Sequence, residues 1–190
     1  HEDPKSPISE SYRSLRTSLM FREDKESTQT ILVSSSGPGE GKTTTVANLA
    51  ITYANMGKKT ILLDADLRKP VIHKMFNLKK NFGLSNFITD SSIELDQIIF
   101  SSSIKNLDLL TCGVVPPNPS ELLDSKEMNE LVEKLKLKYD VVLFDSPPLI
   151  AVTDAMILKK YCDKFILVVR ASGTQKGALD RVLVGFDQLK

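Results

Sequence analysis

Short apolar runs alternate with segments of helical periodicity along the chain. The runs are rich in Val, Ile, Leu and Phe and show no alternation of polar and apolar positions, which is typical of strands buried on both faces of a parallel sheet. Five strands are expected, one from residue 30 and the others over 59–64, 107–111, 139–145 and 164–169. Because helical segments separate them, the pattern predicts an α/β fold in which a parallel sheet is the middle of three layers.

The helices are predicted from capping residues and apolar spacing. Ser9 can cap a first helix that follows a polar arm over residues 1–7. Asn118, Pro119 and Glu121 suit the N-cap, N1 and N3 positions, so a long helix should begin there. The expected helices cover 9–21, 44–56, 118–137, 154–161 and 175–189, with short helices between 71 and 103.

The first strand leads into a glycine-rich turn and then a helix, within residues 30–45 (TILVSSSGPGEGKTTT). The glycines let successive backbone N–H groups point inward, and the helix adds the positive end of its dipole, so a polyphosphate is the expected ligand. Lys42 can reach the outer phosphates, and Thr43 can place its hydroxyl on a magnesium ion. A glycine turn with an exposed lysine is the alternative, but the flanking strand and helix favour phosphate binding. The expected ligand-binding residues are Gly37, Pro38, Gly39, Glu40, Gly41, Lys42, Thr43 and Thr44.

Three carboxylates stand at the ends of predicted strands, where open parallel sheets bind ligands. Asp64 and Asp66 end the second strand, and Asp145 ends the fourth. Beside phosphates they would repel one another, so we expect a magnesium ion held by Thr43 and Asp145, directly or through water. Asp64 and Asp66 face the same side of extended chain, so Asp64 can accept a proton from an incoming hydroxyl while Asp66 orients that hydroxyl or the metal. One such aspartate often only caps a turn, but three beside a phosphate loop favour phosphoryl transfer.

Composition limits the classes of binding partner and the cellular compartment that we expect. Lys and Arg total 25 against 24 Asp and Glu, so no excess charge indicates nucleic acid or an anionic membrane. Cys112 and Cys162 are far apart and lack metal-site spacing, so we expect a reducing compartment and buried thiols. No apolar stretch approaches the roughly 20 residues of a membrane span. One domain over residues 1–190 is expected, and the helix at its end suggests that a further strand is missing.

Five segments together carry a resemblance to a known family. Residues 36–43 (SGPGEGKT) form the nucleotide motif, and residues 61–68 (ILLDADLR) have three aliphatics followed by Asp-x-Asp-x-Arg. Residues 141–148 (VVLFDSPP) and 116–123 (PPNPSELL) also match, as does the Glu-x-x-Arg-x-x-Arg row of the first helix. The set resembles the bacterial tyrosine kinases of capsule and exopolysaccharide systems, and it spans nearly the whole chain.

The resemblance implies an ATP- and magnesium-dependent autokinase that acts on tyrosine, with a P-loop NTPase fold of the partition-ATPase type. Lys42 would bind phosphates, Asp64 and Asp66 would take part in catalysis, and Thr43 and Asp145 would lie around magnesium. The resemblance also implies subunits joined in a ring through the first helix, and activation by the cytoplasmic tail of a transmembrane adaptor. The chain would then act in the cytoplasm at the inner face of the membrane, regulating polysaccharide synthesis or export.

Two groups of charged residues have roles that the residues alone leave open. Glu10, Arg13 and Arg16 recur every three residues and share one helix face, which is an oligomer interface by resemblance or an ordinary solvated row. Arg68 and Lys69 either touch phosphate or only solvate a turn.

Two departures and two rival functions accompany the resemblance. Nothing here matches the family's tyrosine-rich tail, and the phosphate motif begins with Ser36 rather than the usual glycine. Partition and division-site ATPases share the fold but usually place a lysine where Gly37 stands, which argues against them. A non-catalytic nucleotide-binding regulator of assembly is the second rival. The chain's tyrosines are Tyr12, Tyr53, Tyr139 and Tyr161, and their positions suggest packing.

Overall fold

The computed structural model describes residues 6–20, 28–79, 82–150 and 153–187. Its strands are β1 (Gln29–Ser35), β2 (Thr60–Asp64), β3 (Ile99–Ser101), β4 (Leu107–Leu110), β5 (Val141–Asp145) and β6 (Lys164–Val168). Within the described residues they form one sheet in the order β3-β4-β2-β5-β1-β6. The pairs from β4 to β6 are parallel, so the carboxyl ends of β1, β2 and β5 meet at one edge.

Five of these strands agree with the predicted apolar runs, and the α/β fold class is confirmed. The expectation of a five-stranded, wholly parallel sheet is wrong at one edge. There β3 pairs antiparallel with β4, between Ile99 and Leu110 at one end and Ser101 and Asp108 at the other. This strand is only three residues long and partly exposed, so no apolar run marks it in the sequence.

The helices lie before, between and after the strands in the predicted segments, and the structure corrects their bounds. They are α1 (Pro7–Met20), α2 (Lys42–Asn55), α3 (Ile72–Met75), α4 (Leu84–Thr89), α5 (Leu95–Ile98), α6 (Pro119–Leu123), α7 (Lys126–Lys138), α8 (Asp154–Lys159) and α9 (Lys176–Asp187). Helix α1 begins before Ser9, because the Ser6 hydroxyl accepts a hydrogen bond from the Ser9 N–H at 3.2 Å. Most of the predicted arm, residues 1–5, lies outside the described residues.

The single long helix predicted over 118–137 is wrong, because the chain breaks into α6 and α7. Ser125 lies between the two helices in an extended conformation, and its hydroxyl accepts the Met128 N–H at 3.1 Å. A serine hydroxyl that satisfies a first-turn N–H is a standard N-cap, so it starts a second helix. The start of α6 agrees with the prediction, with Asn118 as N-cap and Pro119 at N1.

The sheet is covered on both faces, as three layers require. Alternate residues of each strand point to opposite sides, so Leu63 and Phe144 pack with α4 to α8 while Leu62 and Leu143 pack with α2. Helix α1 adds Leu15, Leu19 and Met20 to the α2 side. The sheet is therefore packed on both faces, and the loops at its carboxyl edge can form a ligand site.

Three of the four tyrosines pack in the interior, as predicted. Tyr53 donates to Gln29 at 2.9 Å, Tyr161 donates to the Leu123 carbonyl at 3.0 Å, and Tyr139 donates to Asp108 at 2.8 Å. Burial, against a small opposing effect of Arg16, raises the pKa of Tyr53 to about 12. Among the described residues, no helix is long and apolar enough to cross a membrane.

Candidate active site

The glycine-rich loop connects β1 to α2 at the carboxyl edge of the sheet. Gly39 and Gly41 have φ values of 76° and 94°, a left-handed conformation that residues with a side chain rarely adopt. Gly41 is also the N-cap of α2, which begins at Lys42. The loop therefore curls back on itself directly in front of a 14-residue helix, which is the arrangement that binds phosphate.

Lys42 reaches two of the three predicted carboxylates. Its ammonium nitrogen lies 3.3 Å from Asp66 Oδ2 and 3.5 Å from Asp145 Oδ1, and 3.1 Å from Thr43 Oγ1. The Thr43 hydroxyl in turn donates to Asp145 Oδ2 at 2.7 Å. These contacts exist because β5 lies between β1 and β2, so that the loop after β1 faces both acidic strand ends.

Asp64 belongs to the same cluster but binds different partners. Its Oδ2 accepts the backbone N–H groups of Val71 and Ile72 at 3.0 and 2.9 Å, which caps α3. Its Oδ1 is buried and has no hydrogen-bond partner among the described residues. The structure thus gives Asp64 the turn-capping contact that sequence alone left open, and also leaves one oxygen for another ligand.

Burial dominates the electrostatics of this cluster. Burial, together with the neighbouring charge of Asp145, raises the pKa of Asp64 to about 7, against the opposing effect of the Ile72 and Val71 N–H groups. It also raises the pKa of Asp145 to about 6, against the opposing effects of the Lys42 ammonium and the Thr43 hydroxyl. One lysine therefore does not neutralise the carboxylates, and the site has an excess of negative charge near neutral pH.

The donors present here fit a magnesium ion. The hydroxyl of Thr43 and a carboxylate oxygen of Asp145 lie 2.7 Å apart, and Asp64, whose buried Oδ1 has no partner, is the residue of β2 that pairs with Asp145 of β5. Within the described part of the chain, no three acidic, His or Cys side chains converge to hold a metal by themselves. Magnesium usually keeps several waters and takes one or two protein ligands plus phosphates, so Thr43 and Asp145 are the side chains that would hold it.

A second network, which the sequence did not indicate, fixes the phosphate loop to the segment after β6. Glu40 accepts hydrogen bonds from the Ser36 hydroxyl at 2.8 and 2.9 Å and from the Thr174 hydroxyl at 2.5 Å. Although burial opposes it, these hydrogen bonds hold the pKa of Glu40 below its ordinary value. Ser36, the departure from the usual motif, therefore serves the loop's geometry, and Thr174 was missed because it lies 134 residues from Glu40.

Arg68 and Lys69 also have observed contacts. The Arg68 guanidinium pairs with Asp154 at 2.8 Å, and the Lys69 backbone N–H donates to Asp66 Oδ1 at 3.0 Å. Arg68 is therefore not merely a solvated residue of the turn, and it lies beside the acidic cluster with an internal partner.

The charged row of α1 lies away from this site. Glu10 and Arg13 form an exposed ion pair at 2.7 Å, whereas Arg16 donates to the Thr52 carbonyl of α2 at 3.0 Å. A groove of about 1070 Å³ runs between α1, α2, α3 and the segment after β3. Arg13 and Arg16 line it together with Lys105, and no residue of the phosphate loop does.

Comparison with known proteins gives close matches. Residues 28–186 match the AAA domain family. The chain is 45% identical over 174 residues to the tyrosine-protein kinase YwqD of Bacillus subtilis, which covers 92% of this chain and 73% of that protein. The solved chimerical protein CapA2B2 has a TM-score of 0.94 and 40% identity, covering 100% of this chain and 83% of that one. The kinase domain of the Escherichia coli tyrosine kinase ETK has a TM-score of 0.92 and 32% identity, covering 98% and 72%.

A more distant likeness is found to a division-site protein. The septum site-determining protein MinD of Pyrococcus horikoshii, solved with Mg-ADP, has a TM-score of 0.69 and 25% identity, covering 85% of this chain and 65% of that one. The shared layered sheet and phosphate loop indicate a nucleotide-binding P-loop fold. Its lower similarity favours the kinase relatives over the partition and division-site ATPases.

Proposed function

Because this chain belongs to the family of bacterial tyrosine-protein kinases, we propose that it uses ATP and magnesium to phosphorylate tyrosine. The observation that carries this proposal is the contact of Lys42 with Asp66, Asp145 and Thr43 directly beside the phosphate loop. Transfer of a phosphoryl group needs positioning and charge neutralisation more than covalent chemistry, and this cluster supplies both.

Each residue of the cluster has a distinct part in the proposed reaction. Lys42 exchanges its carboxylate partners for the outer phosphates, and Thr43 and Asp145 would hold magnesium. That ion would neutralise charge that develops on the phosphate oxygens. Asp66 orients the tyrosine hydroxyl, and Asp64 accepts its proton. The γ-phosphorus then bonds to the tyrosine oxygen as its bond to the bridging oxygen breaks, which leaves ADP.

The pKa of Asp64 supports its part as the base. A general base works best when its pKa lies near the working pH, and burial brings that of Asp64 to about 7. An ordinary aspartate with a pKa near 4 would be a much weaker proton acceptor. The buried, unpartnered Oδ1 is the oxygen available for this role.

We further propose that subunits associate in a ring through α1. Glu10 and Arg13 are 67% and 39% exposed as side chains, and their pair contributes only about 0.2 to 0.5 kcal/mol within one helix, so local stability does not require it. Arg16 is instead tied to Thr52 of the same subunit. In the expected assembly Arg16 anchors the helix and the exposed pair contacts the neighbour.

The ring proposal is tested by the mass in solution. Replacing Glu10 and Arg13 together by Ala should lower the mass measured by light scattering. The matched control is the exposed pair Lys126 and Glu130 on α7, replaced in the same way. An unchanged mass in the first variant removes this pair from the interface.

The remaining proposed partners follow from the family resemblance. We propose that the cytoplasmic tail of a transmembrane adaptor activates the kinase and brings it to the inner face of the membrane. There it would phosphorylate protein tyrosines in the regulation of polysaccharide synthesis or export. We also propose that residues 1–190 form one domain. Tyr53, Tyr139 and Tyr161 are packed inside it and hydrogen-bonded, so these three are not offered as phosphate acceptors.

The decisive experiment measures phosphotyrosine. The chain is incubated with ATP, magnesium, a tyrosine-rich peptide and an activating tail, and transfer to the peptide is expected. ATP hydrolysis with no transfer under these conditions would mean that the chain is a regulatory ATPase rather than a kinase. Gly37 argues only against the other rival, the partition and division-site ATPases, which usually have a lysine at its position.

A further inference from the structure

Arg68, Asp154 and Ser120 form a closed network beside the acidic cluster, here called the Arg68 latch. Arg68 Nε donates to Asp154 Oδ2 at 2.8 Å, and its Nη2 donates to Asp154 Oδ1 at 3.1 Å. The same Nη2 donates to the Ser120 hydroxyl at 3.1 Å, and that hydroxyl donates to Asp154 Oδ1 at 2.6 Å. Both oxygens of the Asp154 carboxylate therefore accept hydrogen bonds, Oδ2 from Arg68 and Oδ1 from Arg68 and Ser120.

The buried position of Asp154 explains why it needs Arg68 as a partner. Asp154 is fully buried, whereas the Arg68 side chain is 40% exposed and approaches it from the loop after β2. A buried carboxylate is costly unless a cation and hydrogen bonds satisfy it, and only the bidentate geometry of Arg does so at both oxygens. The two hydrogen bonds to Asp154 therefore hold the Arg68 guanidinium in one position.

The latch joins three elements that meet at the carboxyl edge of the sheet. Arg68 lies in the loop after β2, Ser120 lies in the first turn of α6, and Asp154 begins α8. This explains two sequence features that nucleotide binding does not use, namely the arginine of Asp-x-Asp-x-Arg and the serine of the PPNPSELL segment.

The loop held by the latch is the one that carries Asp66. Its first residue, Ala65, donates its N–H to the Asp145 carbonyl at 2.9 Å, and the Lys69 N–H donates to Asp66 Oδ1 at 3.0 Å. The Arg68 side chain joins this loop to Asp154, the first residue of α8, which comes after β5 in the chain. The two catalytic loops, after β2 and after β5, are therefore tied together at both ends.

We propose that Arg68, with Asp154 and Ser120, is a positioning group that holds Asp66 at its distance from Lys42 during phosphoryl transfer. Arg68 touches neither nucleotide nor tyrosine in this role. It acts through Asp66, so its loss lowers the rate of transfer without weakening nucleotide binding. The inference rests on the proposed kinase function, because it concerns the geometry of that reaction.

The test compares variants in kcat, in KM for the tyrosine peptide and in affinity for a fluorescent ADP with magnesium. Arg68→Ala should lower kcat about tenfold or more, because small misplacements of catalytic groups have large effects, while ADP affinity changes less than about twofold. Arg68→Lys keeps the charge but loses the bidentate fork, so its kcat should lie between those of Arg68→Ala and the unaltered protein. Ser120→Ala leaves the ion pair intact and should lower kcat by only about two- to fivefold.

Lys160→Ala is the matched control. Lys160 pairs with Asp124, so it joins the far ends of the same helices, α8 and α6, away from the acidic cluster. It should leave kcat unchanged. Equal losses of kcat in Arg68→Ala and Lys160→Ala would reduce the latch to general stability and overturn the proposal.

The other outcomes are equally decisive. Unchanged kcat in Arg68→Ala, a parallel loss of ADP affinity, or a rise in peptide KM alone would each overturn positioning. If Arg68→Ala does not fold, Arg68→Lys and Ser120→Ala decide by the same measurements. If the unaltered protein makes no phosphotyrosine, the kinase proposal fails, and the latch is then judged by the same split between hydrolysis rate and ADP affinity.

Discussion

Lys42 is placed among more negative charge than it can neutralise. Asp66 and Asp145 both lie within 3.5 Å of its nitrogen, yet the pKa of Asp145 still stands at about 6, because burial outweighs the lysine. Asp64 adds a third carboxylate whose pKa is near 7. A further cation would stabilise this cluster because it would reduce the repulsion among the carboxylates. A phosphate ligand could then take the place of the carboxylates at Lys42.

Replacing Lys42 by Met should abolish phosphoryl transfer and weaken nucleotide binding strongly, because it removes the cation that meets the outer phosphates. The measurements are phosphotyrosine formation and titration with fluorescent ADP. Lys59→Met is the control, since Lys59 is exposed at the opposite end of β2. Retained transfer in Lys42→Met would refute the role of this lysine.

The raised pKa values of Asp64 and Asp145 predict how stability depends on pH. Unfolded aspartates titrate near pH 4, so between about pH 4 and 7 the folded state binds more protons than the unfolded state. The free energy of unfolding, without nucleotide or magnesium, should therefore fall as pH rises through this window and level off above it. Urea unfolding across the range measures it.

Asp64→Asn should make that slope shallower, because asparagine does not titrate. Its amide oxygen still accepts the N–H groups of Val71 and Ile72, so the variant should be more stable than the unaltered protein near pH 8. Asp180→Asn, at an exposed position on α9, is the control and should leave the slope as it is. An equal slope in Asp64→Asn would show that the pKa of this carboxylate is not raised in the folded state.

At the scale of elements, α1 is held by one specific contact as well as by its apolar face. The helix has no fully buried residue, and its Leu15, Leu19 and Met20 only flank the core. Arg16 adds a charge-assisted hydrogen bond to the Thr52 carbonyl near the end of α2, where carbonyl groups attract cations. The two arginines of the charged row therefore have different tasks.

Arg16→Ala should destabilise the protein by about 1 to 3 kcal/mol, because it breaks a charged hydrogen bond in a partly buried position. Arg13→Ala should change stability by less than about 0.5 kcal/mol, as is usual for an exposed pair. Urea unfolding of both variants at a concentration where the protein is monomeric measures the difference. Equal effects of the two substitutions would contradict this division of roles.

At the scale of the whole molecule, strand order creates the site. The central position of β5 between β1 and β2 brings the phosphate loop, Asp66 and Asp145 together from segments far apart in sequence. Ligands that bridge these loops bind only the folded chain. Nucleotide binding should therefore stabilise the entire fold.

Mg-ADP at about 100 times its dissociation constant should stabilise the protein by about 2.7 kcal/mol, which is roughly 5 to 11 °C in Tm for a chain of this size. Removing magnesium with EDTA should shrink the shift, since the carboxylates then face the phosphates directly. Differential scanning fluorimetry measures both, with Lys42→Met as the variant expected to show little shift. A shift that is the same with and without magnesium would exclude a metal from this site.

The sequence by itself determined five of the six strands of the described sheet, the phosphate loop and its acidic neighbours. Uninterrupted apolar runs mark buried parallel strands, and glycines that need positive φ mark the loop, so both are local signals. The position of Asp64 and Asp145 at strand ends followed from the same runs. The general rule that ligands bind beyond the carboxyl ends of parallel strands then predicted that these carboxylates would be neighbours.

Only the tertiary structure decided the partners of individual side chains. Asp154 as the partner of Arg68, Thr174 as the partner of Glu40 and Thr52 as the partner of Arg16 each lie more than 30 residues away from it in the chain. The edge strand β3 was missed for the same reason, since its identity depends on pairing with β4 and not on its own three residues. Local periodicity sets the conformation of a segment, but which polar groups meet depends on the order in which the segments pack.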